Sequence, residues 1–205
     1  MPARATAERP RDLGSESTRR AILDAAAALL ADRGESGLSI REVCARAGVT
    51  PPTIYHHFGD KAALVDRVVD DCFADFERAF RHRAVPRDQV EGLRWGFDRY
   101  VEYGLRHPVP YRLMFGQAPA RASARGIASY DGLRRQVAAV DAAGRLRAPV
   151  EEATAAFWAA AHGVTALLVS GFWKEDSPAI ARVRDAMIAQ LTEPPPRGGK
   201  KGSRR

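Results

Sequence analysis

From Thr18 onward apolar residues recur at three- and four-residue spacing, and no run alternates apolar and polar positions with β-branched enrichment for long enough to make a strand. An all-α fold is predicted. The first helix is expected from about Ser17, taken as its cap, with Ile22, Leu23, Ala26, Leu29 and Leu30 on one stripe and a stop at Gly34. A second begins at Ser39-Ile40-Arg41-Glu42, a Ser-x-x-Glu capping box in which Ser39 and Glu42 are expected to satisfy each other's backbone donors. It ends near Ala47, where Gly48 supplies a tight turn. Thr50 caps a third, short helix whose first turn holds Pro51 and Pro52, so the Thr50 hydroxyl is expected to take the N–H of Thr53. Asp60 caps a fourth, with the stripe Leu64, Val65, Val68, Val69, Cys72, Phe76 and Phe80.

Pro86 marks the expected boundary between a small N-terminal domain and a larger helical one that opens near Asp88. Further helices are predicted over 88–106, 109–115, 122–146, 150–172 and 178–191, separated by proline or glycine. Residues 1–15 read as a disordered arm, and 193–205, with prolines, glycines and basic residues, as a disordered basic tail. There is no internal repeat and no sustained heptad run.

Charge changes this picture less than its total suggests. The formal net charge is +7, yet residues 1–85 hold thirteen Lys and Arg against thirteen Asp and Glu, so the excess lies downstream. Within the first half Asp66, Asp70, Asp71, Asp75 and Glu77 fall together late, which leaves room for a local basic face earlier. The Arg-, Pro- and Ala-rich start lacks the apolar stretch of a secretory signal, and a cytoplasmic location is expected. Cys44 and Cys72 each sit at an apolar helical position without metal-ligand spacing and read as buried free thiols. No metal or cofactor is expected.

Two short helices joined by Ala47-Gly48-Val49-Thr50, with Val43, Val49 and Ile54 as internal apolar contacts, describe a helix-turn-helix over residues 39–58. The order Leu38-Ser39-Ile40-Arg41-Glu42-Val43, Ala47-Gly48-Val49-Thr50, Ile54-Tyr55-His56-His57-Phe58, Asp60-Lys61 and Leu64 resembles the signature of TetR-family transcriptional regulators over about residues 16–76. That resemblance implies a DNA-binding regulator, usually a repressor, acting on double-stranded operator DNA. It places Thr50, Pro51, Pro52, Thr53, Tyr55 and His56 on the recognition helix, Ser39 and Arg41 beside the groove, and Lys61 on a phosphate. Phe58 reads as core. The prolines remove two donors that a helix N-terminus would offer a phosphate, which shifts contact toward side chains. Arg4, Arg9 and Arg11 read as part of a solvated arm rather than a minor-groove contact.

Residues 86–192 are expected to form a regulatory and dimerisation domain. From Ala153 to Trp173 no side chain is formally charged, but alanine dominates and His162 and Gly163 interrupt the run, which argues against a membrane span. Ala153, Ala156, Ala160, Gly163 and Leu167 follow helical spacing as a small-residue packing seam, and the family resemblance implies a homodimer built on it. Trp158-x-x-x-His162-Gly163, with Tyr111-Arg112-Leu113-Met114-Phe115, resembles the Trp-His-Gly class of TetR C-terminal domains. The family also implies a small-molecule effector, for which Trp95, Tyr100, Tyr103, Tyr111, Met114, Phe115, Phe157, Trp158 and His162 are the candidate lining. Phosphate-loop, nucleophile-elbow and His-Glu-x-x-His patterns are all missing, so no enzyme is expected.

Overall fold

The computed structural model describes residues 13–81, 86–115 and 124–193. The expected arm, apart from its last three residues, and the tail beyond Glu193 lie outside them. The elements are α1 (Leu13–Arg33), α2 (Ile40–Ala47), α3 (Pro51–Phe58), α4 (Lys61–Arg81), α5 (Gln89–Arg106), α6 (Pro108–Phe115), α7 (Ala124–Ala142), α8 (Val150–Val169) and α9 (Ala179–Leu191). The described residues hold no strand, and one antiparallel bridge joins Leu146 to Thr192.

Two compact units divide inside α4, between Asp71 and Cys72, rather than at Pro86. Packing explains the position. Within the second unit Phe73 meets Phe115 at 5.7 Å between ring centroids, Phe76 meets Tyr103 at 5.0 Å, and the Tyr103 hydroxyl donates to the Cys72 carbonyl at 3.4 Å. The late part of the α4 stripe therefore belongs to another core than its early part.

In the first unit Ile22, Ala26, Leu29, Val43, Ile54 and Leu64 are buried together, each large side chain contributing about 1.5–3 kcal/mol through area removed from water. Helix α2 packs on α1 and on α3. Three local expectations need correction. Residues 13–15 are already helical, and Ser17 sits inside α1, its hydroxyl donating to the Gly14 carbonyl at 3.0 Å instead of capping the helix. Ser39 is the N-cap residue of α2, but its side chain makes no cap bond, and the Glu42 carboxylate accepts from Arg33 at 2.9 and 3.0 Å. A guanidinium brings a full positive charge to the Glu42 carboxylate and outcompetes the uncharged backbone N–H that a capping box would offer it. Thr50 likewise makes no side-chain cap: the Thr53 N–H donates to the Thr50 carbonyl at 3.0 Å, and the two hydroxyls lie 3.1 Å apart. Asp60 does cap α4, accepting from the Ala63 N–H at 2.7 Å.

In the second unit α8 is the central helix, packed on α5, α7 and α9. Its inner face carries Ala153, Thr154, Phe157, Ala161, Val164, Thr165 and Leu168. Although α8 is long and apolar enough to span a membrane by length and composition, that face is the core of the unit. Close approach to α5 depends on Gly104, where a Cβ would lie 2.2 Å from Thr165 Cγ2. Asp88 caps α5, accepting from the Val90 and Glu91 N–H groups at 2.9 and 3.0 Å, and pairs with buried Arg145 at 2.6 Å. Helices α5 and α9 are tied by Arg184 forked onto Asp98 at 2.7 and 2.8 Å and by the Arg94–Asp185 pair.

Candidate functional site

The turn between α2 and α3 is set by Gly48, whose φ of 68° is left-handed and whose N–H, with that of Val49, returns to the Cys44 carbonyl. Val43 and Ile54, both fully buried, dock the two helices. With Ile54 turned inward, helical geometry turns Pro51, Pro52, Tyr55 and His56 outward: all four are exposed, Tyr55 at 49%. Thr53, His57 and Phe58 are half-buried, and the Arg19 guanidinium lies 5.4 Å above the Phe58 ring.

Ion pairing resolves the neutral charge of this region. Arg20 pairs with Asp24, Arg33 with Asp32 and Glu42, and Arg67 with Asp71. Arg41 and Arg46 on α2 and Lys61 at the start of α4 form no ion pair with a described residue. Bulk charge hides this subset, because Glu16, Glu35, Asp66 and Asp70, which offset it in the sum, form no ion pair with it. Arg46 belongs to the basic residues that precede Asp66 in the sequence, but not to those that the family resemblance places on DNA. At the N-terminus of α3 the prolines have no N–H, and the Thr53 N–H is taken by Thr50, so polar recognition there falls to hydroxyls and rings.

Two family models match the chain: "Bacterial regulatory proteins, tetR family" over residues 22–68 and "Tetracyclin repressor-like, C-terminal domain" over residues 93–191. The chain belongs to the TetR family. Among relatives, the HTH-type transcriptional repressor Rv3405c of Mycobacterium tuberculosis is 38% identical over 87 residues, 42% of this chain and 46% of the relative. The HTH-type transcriptional repressor KstR2 of Rhodococcus jostii is 31% identical over 84 residues, 39% of this chain and 41% of the relative. The matched segment thus spans less than half the length of either. Among solved structures, a protein of unknown function from Rhodococcus sp. RHA1 superposes with a TM-score of 0.71 at 28% identity, covering 91% of this chain and all of that one. A putative tetR family transcription regulator from Shewanella sp. PV-4 has the same fold, with a TM-score of 0.70 at 19% identity over 86% of this chain and 99% of that one.

In the C-terminal unit of this TetR-family chain, a cavity of about 170 Å³ opens between α6 and α8, lined by Tyr111, Arg112, Phe115, His162, Ala166, Val169 and Ser170. Of the nine predicted lining residues it takes Tyr111, Phe115 and His162. Tyr100 and Trp158 stand behind it: the Tyr100 hydroxyl is 3.3 Å from His162 Nδ1, and the Trp158 ring stacks on His162 at 5.2 Å. Trp95 packs on Phe80, Phe157 on Phe97, Tyr103 on Phe76 and His107, and Met114 is buried; none of these four reaches the cavity. Arg112, Ala166, Val169 and Ser170 were missed. The last three follow His162 at helical spacing, a signal that the emphasis on aromatics passed over.

The Tyr111 hydroxyl lies 2.8 Å from His162 Nδ1 and donates to the His162 carbonyl at 3.2 Å. Burial pushes the Tyr111 hydroxyl up to about 12 and raises that of Tyr100 further, the neighbouring Tyr111 adding to it. Burial also lowers the His162 pKa, so the ring is neutral at pH 7. This is an uncharged hydrogen-bonded group inside an aromatic cluster. The expected small-residue seam divides. Ala153 is fully buried in the core of its own unit and cannot face a second chain, whereas Ala156, Ala160 and Leu167 are half-buried and Gly163 is exposed. Among the described residues no cluster of metal-ligating side chains occurs.

Proposed function

We propose that the protein is a sequence-specific DNA-binding transcriptional regulator of the cytoplasm, most simply a repressor, that acts as a homodimer and is released by a small molecule held in its C-terminal unit. The observation that carries this reading is the outward face of α3, where Tyr55 and His56 stand exposed on a helix pinned by buried Ile54. A helix so presented fits the major groove, where each base pair shows its own donor and acceptor pattern. Thr53 reads a base edge or thymine methyl, Thr50 and Tyr55 meet phosphates, and Arg41, Arg46 and Lys61 supply cations without first breaking an ion pair with a described residue.

Paired half-sites require two copies with recognition helices about one turn of DNA apart, roughly 34–36 Å, or a multiple of it. Ala156, Ala160, Gly163 and Leu167, lying off the inner face of α8, support a seam for the second copy. An effector that favours one spacing over another shifts the population toward the state that no longer fits the operator. The core role of the inner face of α8 supports an assignment away from the membrane, and the relatives' names support a regulator rather than an enzyme.

The test is selection of bound sequences from genomic DNA with the full chain, followed by salt titration on the recovered site. Sequence-preferring binding is expected, with log affinity falling by about 0.9 per phosphate neutralised for each tenfold rise in salt. Equal affinity for selected and scrambled DNA would refute the reading.

A further inference from the structure

We propose that the cavity between α6 and α8 takes a small carboxylate with a flat apolar body, a benzoate- or phenylacetate-like acid, its carboxylate held by Arg112. This deepens the reading that the C-terminal unit holds an effector, and rests on it. Size sets the first limit: a cavity on the order of 150 Å³ holds one benzene ring, and this one is about 170 Å³. Chemistry sets the second. Phe115, Ala166 and Val169 give the cavity apolar walls, and the His162 ring beside them is stacked on those of Tyr111 and Trp158. The Tyr111 hydroxyl and His162 Nδ1 are engaged with each other, and the same hydroxyl serves the His162 carbonyl. Arg112 is the one charged side chain of the lining, and a ligand's anionic group belongs there.

Charge sets the third limit. Every arginine on α5 has a carboxylate partner: Arg94 with Glu91 and Asp185, Arg99 with Glu102, and Arg106 with Glu102. Arg112 has none among the described residues, and no acidic side chain lines the cavity. A guanidinium with both forks open matches a planar carboxylate and repels an amine. The neutral His162 beside it adds no competing charge.

Calorimetric titration of the full chain, without DNA, tests this with benzoate and phenylacetate against benzyl alcohol and benzylamine. The acids are expected to bind, benzyl alcohol at least tenfold more weakly, and benzylamine not at all. Arg112→Gln is expected to weaken acid binding about tenfold, the scale of one charge-assisted pair, and its exposed position leaves folding intact. Ala166→Phe, which fills the cavity, should abolish binding of acid and alcohol alike while the helical circular dichroism stays unchanged. Equal affinity for alcohol and acid, an unaffected Arg112→Gln protein, or no binding of either acid at millimolar concentration would each overturn the proposal. The same preparations are titrated with selected DNA: intact DNA binding with failed acid binding sinks only this inference, whereas acid binding without DNA binding sinks the regulator reading.

Discussion

The two units use side chains in opposite directions. In the N-terminal unit a small apolar set, Val43, Ile54 and Leu64 among it, is buried so that Tyr55, His56 and Arg41 stand on the outside with few partners, with Lys61 half-buried beside them in sequence. In the C-terminal unit the chemically interesting groups turn toward one another: Tyr100, Tyr111, Phe115, Trp158 and His162 form a contiguous cluster. Function borne on an outward helix face separates from stability, because surface substitutions cost little folding energy. Function borne on a buried cluster does not, since each member is also packing. One unit is thus expected to tolerate loss-of-function changes that leave it folded, and the other to answer most changes with its stability.

The sharpest break should come at Gly104. A Cβ there meets Thr165 Cγ2 at 2.2 Å, so Gly104→Ala is expected to destabilise the C-terminal unit by about 3 kcal/mol in chemical denaturation. Adding Thr165→Ser removes the clashing methyl and should restore a good part of that loss; no restoration would locate the strain elsewhere. Next comes Tyr55→Ala. Its expected cost is about tenfold in affinity for the selected site with a folding change within about 0.5 kcal/mol. A large drop in melting temperature would show that Tyr55 is core and erase the contrast between the units.

A smaller effect separates the units by pH. His162 has its pKa lowered by burial, so the unfolded chain binds more protons than the folded one below the ordinary histidine value of about 6.5. Stability of the C-terminal unit should be full above that value and decline as pH falls toward the folded pKa, and His162→Gln should flatten the decline. A pH-independent melting temperature between 7 and 5 in the wild-type protein would contradict it. The smallest effect is expected at Ser39. Because its side chain makes no cap bond, Ser39→Ala should cost less than about 0.5 kcal/mol, against about 1 kcal/mol for a working cap. A loss near the larger figure would restore the capping box.

The same contrast runs through what was legible in the sequence. Gly48, Pro51-Pro52 and Asp60 were each readable because their effect is local: a positive φ, a missing donor, or a carboxylate three residues from the N–H it accepts from. The capping box failed at the first long-range competitor, since Arg33 claims Glu42 from nine positions upstream. Periodicity found α8 but treated all its small residues as one seam, and only packing on α5, α7 and α9 turned Ala153 inward while leaving Gly163 outside. Residue type likewise gave nine pocket candidates without separating Tyr111, Phe115 and His162, which line the cavity, from Trp95, Phe157, Tyr103 and Met114, which do not.

By itself, the sequence determined the helical class, the order of the elements and the two short helices joined at Gly48. Those follow from 3.6-residue spacing and from turn chemistry acting over four residues or fewer. The tertiary structure alone decided which cations remain unpaired, where α4 passes from one unit to the other, and which rings share a cavity. Each of these depends on partners distant along the chain, where folding, not spacing, chooses which of several equally suitable side chains meet.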